Sequence, residues 1–504
     1  MNRCTALRGA GLFAAAALVL GSSPAVAAPA ADEDPTIGES VAQALFDAAP
    51  DIAVISDANC MSAPAEPLVY RSDRVVLRTG LGKTAIKTTV NLALDSIGSP
   101  NAVATSVEII KLPQTPGART DAALKPVASV TLDDKGEPID IVELSRTLTD
   151  SEESIPSAPD YILSPSSGPD GVWPYGDPVP TTKEESPRKA AYGEGVEIWA
   201  LDTGLPDKSV GAWAPNVSRL TSNDKEILDA VDPTLDIVDT YFKGHTLAIA
   251  DVINTMAPGA DVEAVMITDE YGLITDVSAA RRIAAELKAT TDWPQIMVAA
   301  FGSAVCEQEP GVDMVPVGLD AIADAVDKRG GAVMVISAGN RSSSRAFYPA
   351  AFETDTNPLF DAVIGVGALD TAAAQDGDTW FSTSRSAPRA DFSNYGDWVD
   401  GWTSGVDFPV RHVKHFKFSA DGDYIEGRAI VSGTSFAAPA LAAQIAEVIS
   451  TAPDDDPIGP KAAWSKIKDT GVECDAETGG VAVALTSMSA TATTEPVQGT
   501  VAEC

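Results

Sequence analysis

The sequence predicts an α/β unit built on a parallel sheet, preceded by a smaller α+β unit. In the second half of the chain, apolar runs of strand length alternate with patterns of helical period. The expected strands lie near residues 196–201, 262–267, 295–300, 332–337 and 362–368. The expected helices lie near residues 245–256, 276–289, 318–329 and 437–449. This alternation is typical of a parallel sheet with helices on its faces and right-handed crossovers.

Residues 66–165 have a pattern of their own, which predicts the α+β unit. Strands are expected at residues 75–77, 107–112, 127–132 and 161–163, and helices at residues 86–97 and 141–148. The helices are indicated by apolar residues recurring at helical spacing. The resulting order, strand-helix-strand-strand-helix-strand, is that of the split, ferredoxin-like arrangement.

The first 28 residues have the features of a cleavable secretory signal. Arg3 and Arg8 precede an apolar run from Leu12 to Leu20, and small residues follow at 25–28. That run is too short to span a membrane. We therefore expect a secreted protein. We expect no membrane span in the mature chain, because no later segment reaches the roughly 18 apolar residues that a span requires.

Four cysteines follow the expected signal: Cys60, Cys306, Cys474 and Cys504. An even number in an exported chain allows two disulfides, and the sequence leaves all three pairings open. Free or buried thiols also stay open, because a chain of this size does not need disulfides to fold.

The chain is strongly acidic, with 35 basic and 72 acidic residues and a net charge of −37. Such a charge would repel a phosphate backbone, so we expect no nucleic-acid partner. The acidic cluster Asp454–Asp456 lacks the spacing of an EF-hand loop. We therefore assign no metal site, and leave a structural calcium ion open.

Residues 166–190 and 471–504 differ in composition from the units beside them. Residues 164–187 contain six prolines with glycine and serine between them. A segment of this kind is extended, exposed and accessible to proteolysis, so we expect residues 166–190 to be a processing linker. The tail from 471 to 504 is small and polar, and no sorting signal is evident in it.

The most informative motif is Gly433 to Pro439, with the sequence Gly-Thr-Ser-Phe-Ala-Ala-Pro. Ser435 opens an expected helix of small residues, where unpaired N–H groups and the helix dipole favour negative charge. Acyl transfer needs such a place, because its tetrahedral oxyanion must be stabilised. A serine at this position is otherwise an ordinary N-cap.

Three further segments offer the groups that a nucleophilic serine needs. His245, one of three histidines in the chain, is expected in the first turn of a helix. Asp202 follows a buried strand, and Asn340 follows the strand that ends near Ser337. Open α/β sheets place their sites at the carboxyl ends of strands. Taken singly, each residue could be a cap, core or turn residue.

Together these segments resemble the subtilisin-like serine proteases, the subtilase family. The matching segments, in the order that the family has, are Asp202–Gly204, Gly244–His245, Ser337–Asn340 and Gly433–Pro439, with a further match at Asp391–Gly396. The resemblance extends from about residue 190 to about residue 470. It implies a subtilisin-like peptidase domain at residues 191–470.

The resemblance implies a secreted serine endopeptidase that acts on polypeptides and requires no cofactor. Ser435 would be the nucleophile, His245 the general base, Asp202 its orienting carboxylate and Asn340 an oxyanion donor. Residues 66–165 would be a propeptide domain that inhibits the enzyme until the protein cuts itself in the linker. The substrate-binding residues would be Ala300, Phe301, Gly302, Ser337, Ala338 and Gly339.

The chain departs from the family pattern beside the histidine. Thr246 and Leu247 stand where the family usually has glycine and threonine, and a β-branched residue there is expected to crowd the base. Asp251 replaces a usual glycine in the same helix, and Ala300 replaces a usual serine. These departures put the level of activity and the shape of the substrate pocket in doubt.

Two alternatives follow. The first is a catalytically impaired subtilase fold that binds a peptide or a partner, and Thr246 and Leu247 are its best support. The second is a different acyl-transfer enzyme such as an esterase. Ser435 does not, however, lie in the Gly-x-Ser-x-Gly elbow of the α/β-hydrolases, because Phe436 and Ala437 follow it.

Overall fold

The computed structural model describes most of the chain between residues 52 and 483. The described residues are 52–55, 68–113, 124–136, 138–151, 154–165, 175–183, 187–205, 217–221, 236–268, 274–309, 311–354, 357–358, 361–371, 387–411, 416–417, 424–425, 427–475 and 478–483. The expected signal at residues 1–28 lies outside them. Below, the N-terminal unit means residues 68–165 and the larger unit means residues 187–483, in both cases as far as described.

The helices and strands of the described residues follow in chain order. The helices are α1 (Lys83–Ser96), α2 (Ile141–Thr149), α3 (Asp236–Met256), α4 (Asp276–Ala289), α5 (Val317–Arg329), α6 (Thr434–Ser450) and α7 (Pro460–Asp469), with a 3-10 turn at Ala350–Phe352. The strands are β1 (Ile52–Ile55), β2 (Leu68–Arg78), β3 (Val103–Ile110), β4 (Val127–Asp133), β5 (Ser157–Pro165), β6 (Tyr175–Pro180), β7 (Glu197–Asp202), β8 (Val217–Thr221), β9 (Asp261–Met266), β10 (Ile274–Thr275), β11 (Ile296–Ala299), β12 (Phe301–Gly302), β13 (Glu307–Glu309), β14 (Val312–Asp313), β15 (Val333–Ser337), β16 (Glu353–Thr354), β17 (Asn357–Pro358), β18 (Val363–Leu369), β19 (Gly401–Ser404), β20 (Phe408–Arg411), β21 (Phe416–Lys417), β22 (Tyr424–Ile425), β23 (Arg428–Ser432), β24 (Val472–Glu473) and β25 (Val481–Ala482). No helix in these ranges combines the length and apolar character that crossing a bilayer requires.

A nine-stranded sheet forms the centre of the larger unit, in the spatial order β24-β25-β19-β18-β15-β11-β7-β9-β8. All neighbours from β25 to β8 are parallel, and β24 joins β25 antiparallel. The central strands β7, β11, β15 and β18 are buried almost throughout. Burial on both faces is expected of a parallel sheet covered by helices. The predicted α/β fold is therefore confirmed.

Alternate residues of the central strands pack into different apolar cores. Ile198 and Ala200 of β7 belong to the core that contains the buried residues of α3 and α6. Trp199 and Leu201 belong to the opposite core, with residues of α4 and α5. That second core continues into the N-terminal unit through residues such as Val75. The two units therefore share one apolar core.

The N-terminal unit has an antiparallel sheet in the order β5-β2-β4-β3, with α1 and α2 packed against it. Its elements follow the predicted order of strand, helix, strand, strand, helix and strand. The first and last strands are longer than predicted. β5 extends because it pairs with β2 over one part and with strands of the larger unit over another, so its length depends on more than its own apolar run.

Two buried carboxylates connect β5 to α4 and α4 to α5. Asp160 on β5 accepts from the N–H of Val277 at the start of α4, at 3.0 Å. Asp276 accepts from the N–H groups of Gly318 at 2.6 Å and Leu319 at 2.8 Å, at the start of α5. Carboxylates at helix N-termini satisfy unpaired N–H groups and suit the helix dipole. Burial nevertheless raises the pKa of Asp276 to about 7, because the charged form loses its hydration.

Helix α3 corrects the predicted start of the histidine helix. It begins at Asp236, so His245 lies inside the helix and not in its first turn. Gly244 favours a helix start near residue 245 in a reading of the sequence alone. One glycine inside a helix, however, costs only about 1 kcal/mol relative to alanine, and here the helix continues through it.

The predicted linker contains a strand. β6 pairs antiparallel with β23, with Val179 opposite Ile430. Val179 is 57% exposed, so this part of the linker lies at the surface. Prolines are tolerated in β6 because an edge strand need not donate from every N–H. The segment is therefore exposed, as predicted, but partly paired with the larger unit.

An interrupted hairpin precedes Ser435. β20 pairs antiparallel with β23, and β21 pairs antiparallel with β22. The other two histidines of the chain, His412 and His415, lie outside the described residues. Because β23 ends at Ser432, the hairpin leads directly into the serine motif.

Two of the four cysteines are described, and both form disulfides. Cys306 follows β12, and Cys474 follows β24. Cys60 and Cys504 lie outside the described residues. Disulfides rather than free thiols are thus present at two of the positions that the sequence left open.

A buried ion pair fixes the start of the larger unit to α6. An Arg188 guanidinium nitrogen lies 2.8 Å from a carboxylate oxygen of Glu447, whose side chain is fully buried, while that of Arg188 is 12% exposed. The N–H of Arg188 also donates to the carbonyl of Thr255 at 2.9 Å. Residue 188 is therefore already part of the folded larger unit.

We expect Arg188→Met to lower the free energy of unfolding by about 3–5 kcal/mol, because the variant removes the cationic partner of a buried carboxylate. The measurement is denaturant unfolding of the full chain carrying Ser435→Ala, which would prevent the self-cleavage expected from the sequence. Lys189→Met is the matched control, because Lys189 is exposed, and should change stability by no more than about 0.5 kcal/mol. Equal losses in the two variants would contradict the role of the ion pair.

Candidate active site

Asp202 is the last residue of β7, at the carboxyl edge of the parallel sheet. Its neighbours β9 and β11 run parallel to it, so their carboxyl ends open onto the same edge. The Asp202 side chain is almost fully buried. Its Oδ1 accepts a hydrogen bond from the N–H of Thr203 at 2.6 Å. The sheet thus places a buried carboxylate at the edge where α/β folds carry their sites.

His245 of α3 lies beside this carboxylate and is 3% exposed. Its Nδ1 is 2.9 Å from Asp202 Oδ2 and 3.0 Å from Asp202 Oδ1. An ionised carboxylate can only accept hydrogen bonds, so Nδ1 must carry the hydrogen. In the neutral ring, Nε2 is then the nitrogen with a free lone pair. This is the tautomer that a general base requires.

Thr246 was expected to crowd the histidine, and the structure places it against Asp202. Its hydroxyl donates to Asp202 Oδ1 at 3.1 Å and lies 2.9 Å from the hydroxyl of Thr203. Thr246 is fully buried. The other departure, Leu247, packs in the apolar core that α3 shares with α6. Both residues therefore have defined places in the structure around His245.

Ser435 lies in the first turn of α6, which begins at Thr434 and not at Ala437 as predicted. The helix starts earlier because the backbone turns at Gly433, whose φ of 146° favours glycine, and because the N–H of Phe436 reaches the carbonyl of Gly433 at 3.0 Å. At the second helical position, the N–H of Ser435 has no acceptor within the helix. Its side chain is fully buried, and Oγ makes no hydrogen bond to the described residues.

Asn340 lies in the turn that follows β15 and contacts the residue before Ser435. Its Oδ1 accepts from both the N–H and the hydroxyl of Thr434, each at 2.8 Å. Because a backbone N–H can only donate, this contact identifies the side-chain oxygen of Asn340. The NH₂ group of the same amide therefore points away from Thr434.

The segment Asp391–Gly396 supports the Asn340 turn. Asn394 donates from its side chain to the carbonyl of Ala338 at 2.9 Å, and its N–H donates to the carbonyl of Gly339. Gly339 has φ of 97°, and a Cβ on it would lie 2.5 Å from Asn394 Nδ2. Glycine is thus required where the two segments meet, which explains why both match the family pattern.

The predicted substrate-binding residues lie at the ends of two adjacent strands. Ala300, Phe301 and Gly302 follow β11, and Ser337, Ala338 and Gly339 end or follow β15. β11 and β15 are parallel neighbours, so both segments reach the same sheet edge as Asp202. All six residues are buried.

The structure connects the four predicted catalytic residues only in part. Asp202 and His245 are hydrogen-bonded directly, and Asn340 bonds the neighbour of Ser435. The His245 ring packs edge-on against Phe436, with ring centroids 5.8 Å apart. No hydrogen bond joins Ser435 to His245 among the described residues. Their roles in catalysis therefore stay predictions.

Asp251 has a role that the sequence did not reveal. It is almost fully buried on α3, and its Oδ2 accepts from the N–H of Arg411 at 2.7 Å. The guanidinium groups of Arg411 and Arg428 lie 3.6 Å and 3.7 Å from its carboxylate. Asp251 thus joins the histidine helix to strands β20 and β23. The available signal in the sequence was an acidic residue where the family usually has glycine.

No group of three or more histidine, cysteine, aspartate or glutamate side chains is arranged to hold a metal within the described ranges. Asp454–Asp456, the cluster considered in the sequence, is exposed there.

The model of the subtilase family matches residues 238–480 of this chain. That range contains His245, Asn340 and Ser435, and Asp202 precedes it.

A thermophilic serine proteinase from Bacillus sp. (strain AK1) is 28% identical to this chain over 254 residues. The match covers 49% of this chain and 50% of the proteinase. This chain therefore spans about half the length of the curated relative that it matches.

Several solved structures are similar to this chain at low sequence identity. Fervidolysin from Fervidobacterium pennivorans, a keratinolytic enzyme related to subtilisin, is 16% identical, with a TM-score of 0.49 over 82% of this chain and 60% of its own. A mutant of the protease domain of PatA is 18% identical, with a TM-score of 0.43 over 58% and 93% of the two chains. A cold adapted subtilisin-like serine proteinase is 18% identical, with a TM-score of 0.41 over 59% and 90%.

The parallel α/β sheet provides the fold, and the family match covers the segments that carry the histidine, the asparagine and the serine. Residues 238–480 of this chain are therefore similar to the subtilase family, whose model matches them.

Proposed function

We propose that this protein is a serine endopeptidase in which Ser435 is the nucleophile, His245 the general base and Asp202 the carboxylate that orients the base. The observation that carries the proposal is the buried hydrogen bond between Asp202 and His245, at the sheet edge where α6 presents Ser435. The similarity of residues 238–480 to the subtilase family supports peptide-bond hydrolysis as the reaction.

The proposed reaction begins when Ser435 Oγ attacks the scissile carbonyl carbon. His245 Nε2 takes the proton of Oγ and later gives it to the leaving amine, while Asp202 stabilises the imidazolium that forms between the two steps. The absence of a hydrogen bond between Ser435 and His245 is compatible with this mechanism, because catalytic hydrogen bonds are often long without substrate and shorten when it binds.

The proposed oxyanion site consists of Asn340 and the N–H of Ser435. Thr434 holds the Asn340 oxygen, which leaves the NH₂ group on the opposite side of the amide as the donor. The N–H of Ser435 adds a second donor at the positive end of the α6 dipole. Fixed donors of this kind stabilise the charge that develops on the carbonyl oxygen. The proposed chemistry needs no cofactor.

We also propose that the protein is exported. The signal-like features of residues 1–28 support this, as do the disulfides at Cys306 and Cys474, because disulfides persist in oxidising compartments.

The N-terminal unit is proposed to be an intramolecular inhibitor. The end of β5 pairs antiparallel with β12, with Pro165 opposite Phe301 and Ser164 opposite Gly302. On its other part, β5 pairs with β10. An extended substrate that used the backbone of β12 would need the edge that β5 already covers. The inhibitory role thus follows from competition for one strand edge.

Polar contacts hold the N-terminal unit in this place. Arg78 of β2 forms ion pairs with Asp320 and Asp324 of α5, and its nitrogen lies 2.5 Å from Asp320. The N–H of Cys306 donates to the hydroxyl of Tyr161 at 3.3 Å. Both contacts link the proposed inhibitor to the larger unit.

The proposed cleavage lies between Pro165 and Tyr175. β5 ends at Pro165 on the substrate strand β12, and β6 begins at Tyr175 opposite Ser432, close before Ser435. The described chain thus stops at the proposed substrate strand and resumes beside the strand that leads to Ser435. Arg188 is part of the folded larger unit, which also supports a cut before it.

We expect the wild-type protein, expressed without its signal, to acquire a new N-terminus between residues 165 and 175. The Ser435→Ala protein should stay uncut, because the proposed nucleophile is missing. Intact mass and N-terminal sequencing of both proteins measure this. Cutting of both proteins at the same bond would show that another protease does it.

We expect Asn340→Ala to lower kcat by on the order of 10²–10³, with little change in KM, because it removes a donor that acts mainly in the transition state. Asn340→Asp removes the same NH₂ donor but retains the contact to Thr434, because a carboxylate still accepts from the N–H and the hydroxyl of Thr434. It should lose at least as much kcat. If Asn340→Asp kept wild-type kcat, the oxyanion role would be wrong.

We expect Arg78→Ala to raise peptidase activity immediately after processing, because the cut N-terminal unit would leave sooner. Truncating one partner of a buried charge pair weakens association by roughly tenfold or more. Lys83→Ala is the matched control, because Lys83 is an exposed cation of the same unit. Equal activity time courses for the two variants would argue against inhibition by this docking.

A further inference from the structure

We propose that Thr246 is a positioning residue for catalysis: its hydroxyl fixes the rotation of the Asp202 carboxylate, and through it the orientation of His245. This inference rests on the serine endopeptidase function proposed above. It assigns a role to the residue that, in the sequence, gave the strongest reason to doubt that function.

The hydroxyl groups of Thr203 and Thr246 form a directed chain that ends on Asp202. Thr246 donates to Asp202 Oδ1 at 3.1 Å, and the carboxylate can only accept. A hydroxyl has one hydrogen, so Thr246 must accept from the hydroxyl of Thr203, 2.9 Å away. Chains of this kind polarise their members and strengthen the terminal bond. The last donor in the chain is Thr246.

The contacts of Asp202 are divided unequally between its oxygens. Oδ1 accepts from the N–H of Thr203 at 2.6 Å and from the hydroxyl of Thr246. Oδ2 lies 2.9 Å from His245 Nδ1, which is also 3.0 Å from Oδ1. The torsion that rotates a carboxylate is soft in aspartate. Two donors on Oδ1, from different elements, therefore hold the plane in which Oδ2 meets the imidazole.

Thr246 lies next to the proposed base, His245, on the same helix. Thr246 directly follows His245 on α3, so a single helix supplies both the imidazole and the donor that orients its carboxylate. Both side chains and Asp202 are nearly or fully buried, so water does not compete strongly for these hydrogen bonds. A glycine in the place of Thr246 would provide no such donor.

The competing explanation is structural: Thr246 could bond Asp202 only because a buried hydroxyl needs a partner. Valine distinguishes the two roles, because it has nearly the shape of threonine without the hydroxyl. On the structural explanation, Thr246→Val changes stability but leaves the rate of the chemical step intact. On the positioning explanation, it lowers that rate.

The experiment compares the self-processed wild type, Thr246→Val and Thr246→Ser, with Ser435→Ala as the blank, on one peptide substrate. We expect Thr246→Val to lower kcat about ten- to a hundredfold with KM nearly unchanged, the range for losing a hydrogen bond to a charged group. Thr246→Ser, which keeps the hydroxyl, should recover most of the loss. The low-field proton resonance of the His245 Nδ1–H should shift or broaden in Thr246→Val alone.

The results distinguish a failure of the positioning role of Thr246 from a failure of the proposed peptidase function. If the wild type shows no hydrolysis above the Ser435→Ala blank, the proposed function fails. If the wild type is active and Thr246→Val keeps its kcat and its Nδ1–H resonance, the positioning role is wrong and the function stands. A loss that Thr246→Ser does not recover would also overturn the positioning role, since the hydroxyl would not be its cause.

Discussion

The hydrogen bond between Asp202 and His245 is the contact on which the rest of the site depends. A carboxylate that is 1% exposed is costly to bury unless donors surround it. Here three groups supply donors: the N–H of Thr203, the hydroxyl of Thr246 and the imidazole Nδ1. These donors stabilise the charge, and the carboxylate in turn determines which imidazole nitrogen carries the lone pair that the proposed base would use.

The two halves of the site are held by separate contacts that meet at α6. On the histidine side, Asp251 joins α3 to the hairpin that leads into the serine motif. On the asparagine side, Thr434 bonds Asn340, and Asn394 supports the turn before it. α6 itself is fixed to the start of the larger unit by the Arg188–Glu447 ion pair. The position of Ser435 is thus determined from three directions by buried polar contacts.

Much of the fold could be predicted because its local signals agree with its tertiary context. The helix expected at 276–289 has those bounds, since Thr275 caps it and apolar spacing defines its length. Two helix starts were predicted too late. α3 runs through Gly244, since one glycine costs a helix only about 1 kcal/mol. α6 starts at Thr434, where the backbone turns at Gly433 and Asn340 accepts the first N–H.

The site residues themselves could be proposed from motifs, but their connections could not. The hydroxyl of Thr246 bonds Asp202 because α3 packs beside the carboxyl end of β7. The spacing of the two residues along the chain does not reveal this packing. The partners of Asp251 lie far along the chain, in a hairpin whose docking on α3 has no local signature. Motifs therefore identify which groups are present, and tertiary structure decides what each of them contacts.

The most direct test of the central claim is labelling of the processed protein with a fluorophosphonate, which reacts only with an activated serine. We expect a single modified residue, Ser435, in the wild type, and labelling slower by orders of magnitude in His245→Ala, because the base would be absent. Labelling of Ser435 at equal rates in both proteins would show that His245 does not activate it. No labelling of the wild type would contradict a functional site at this sheet edge.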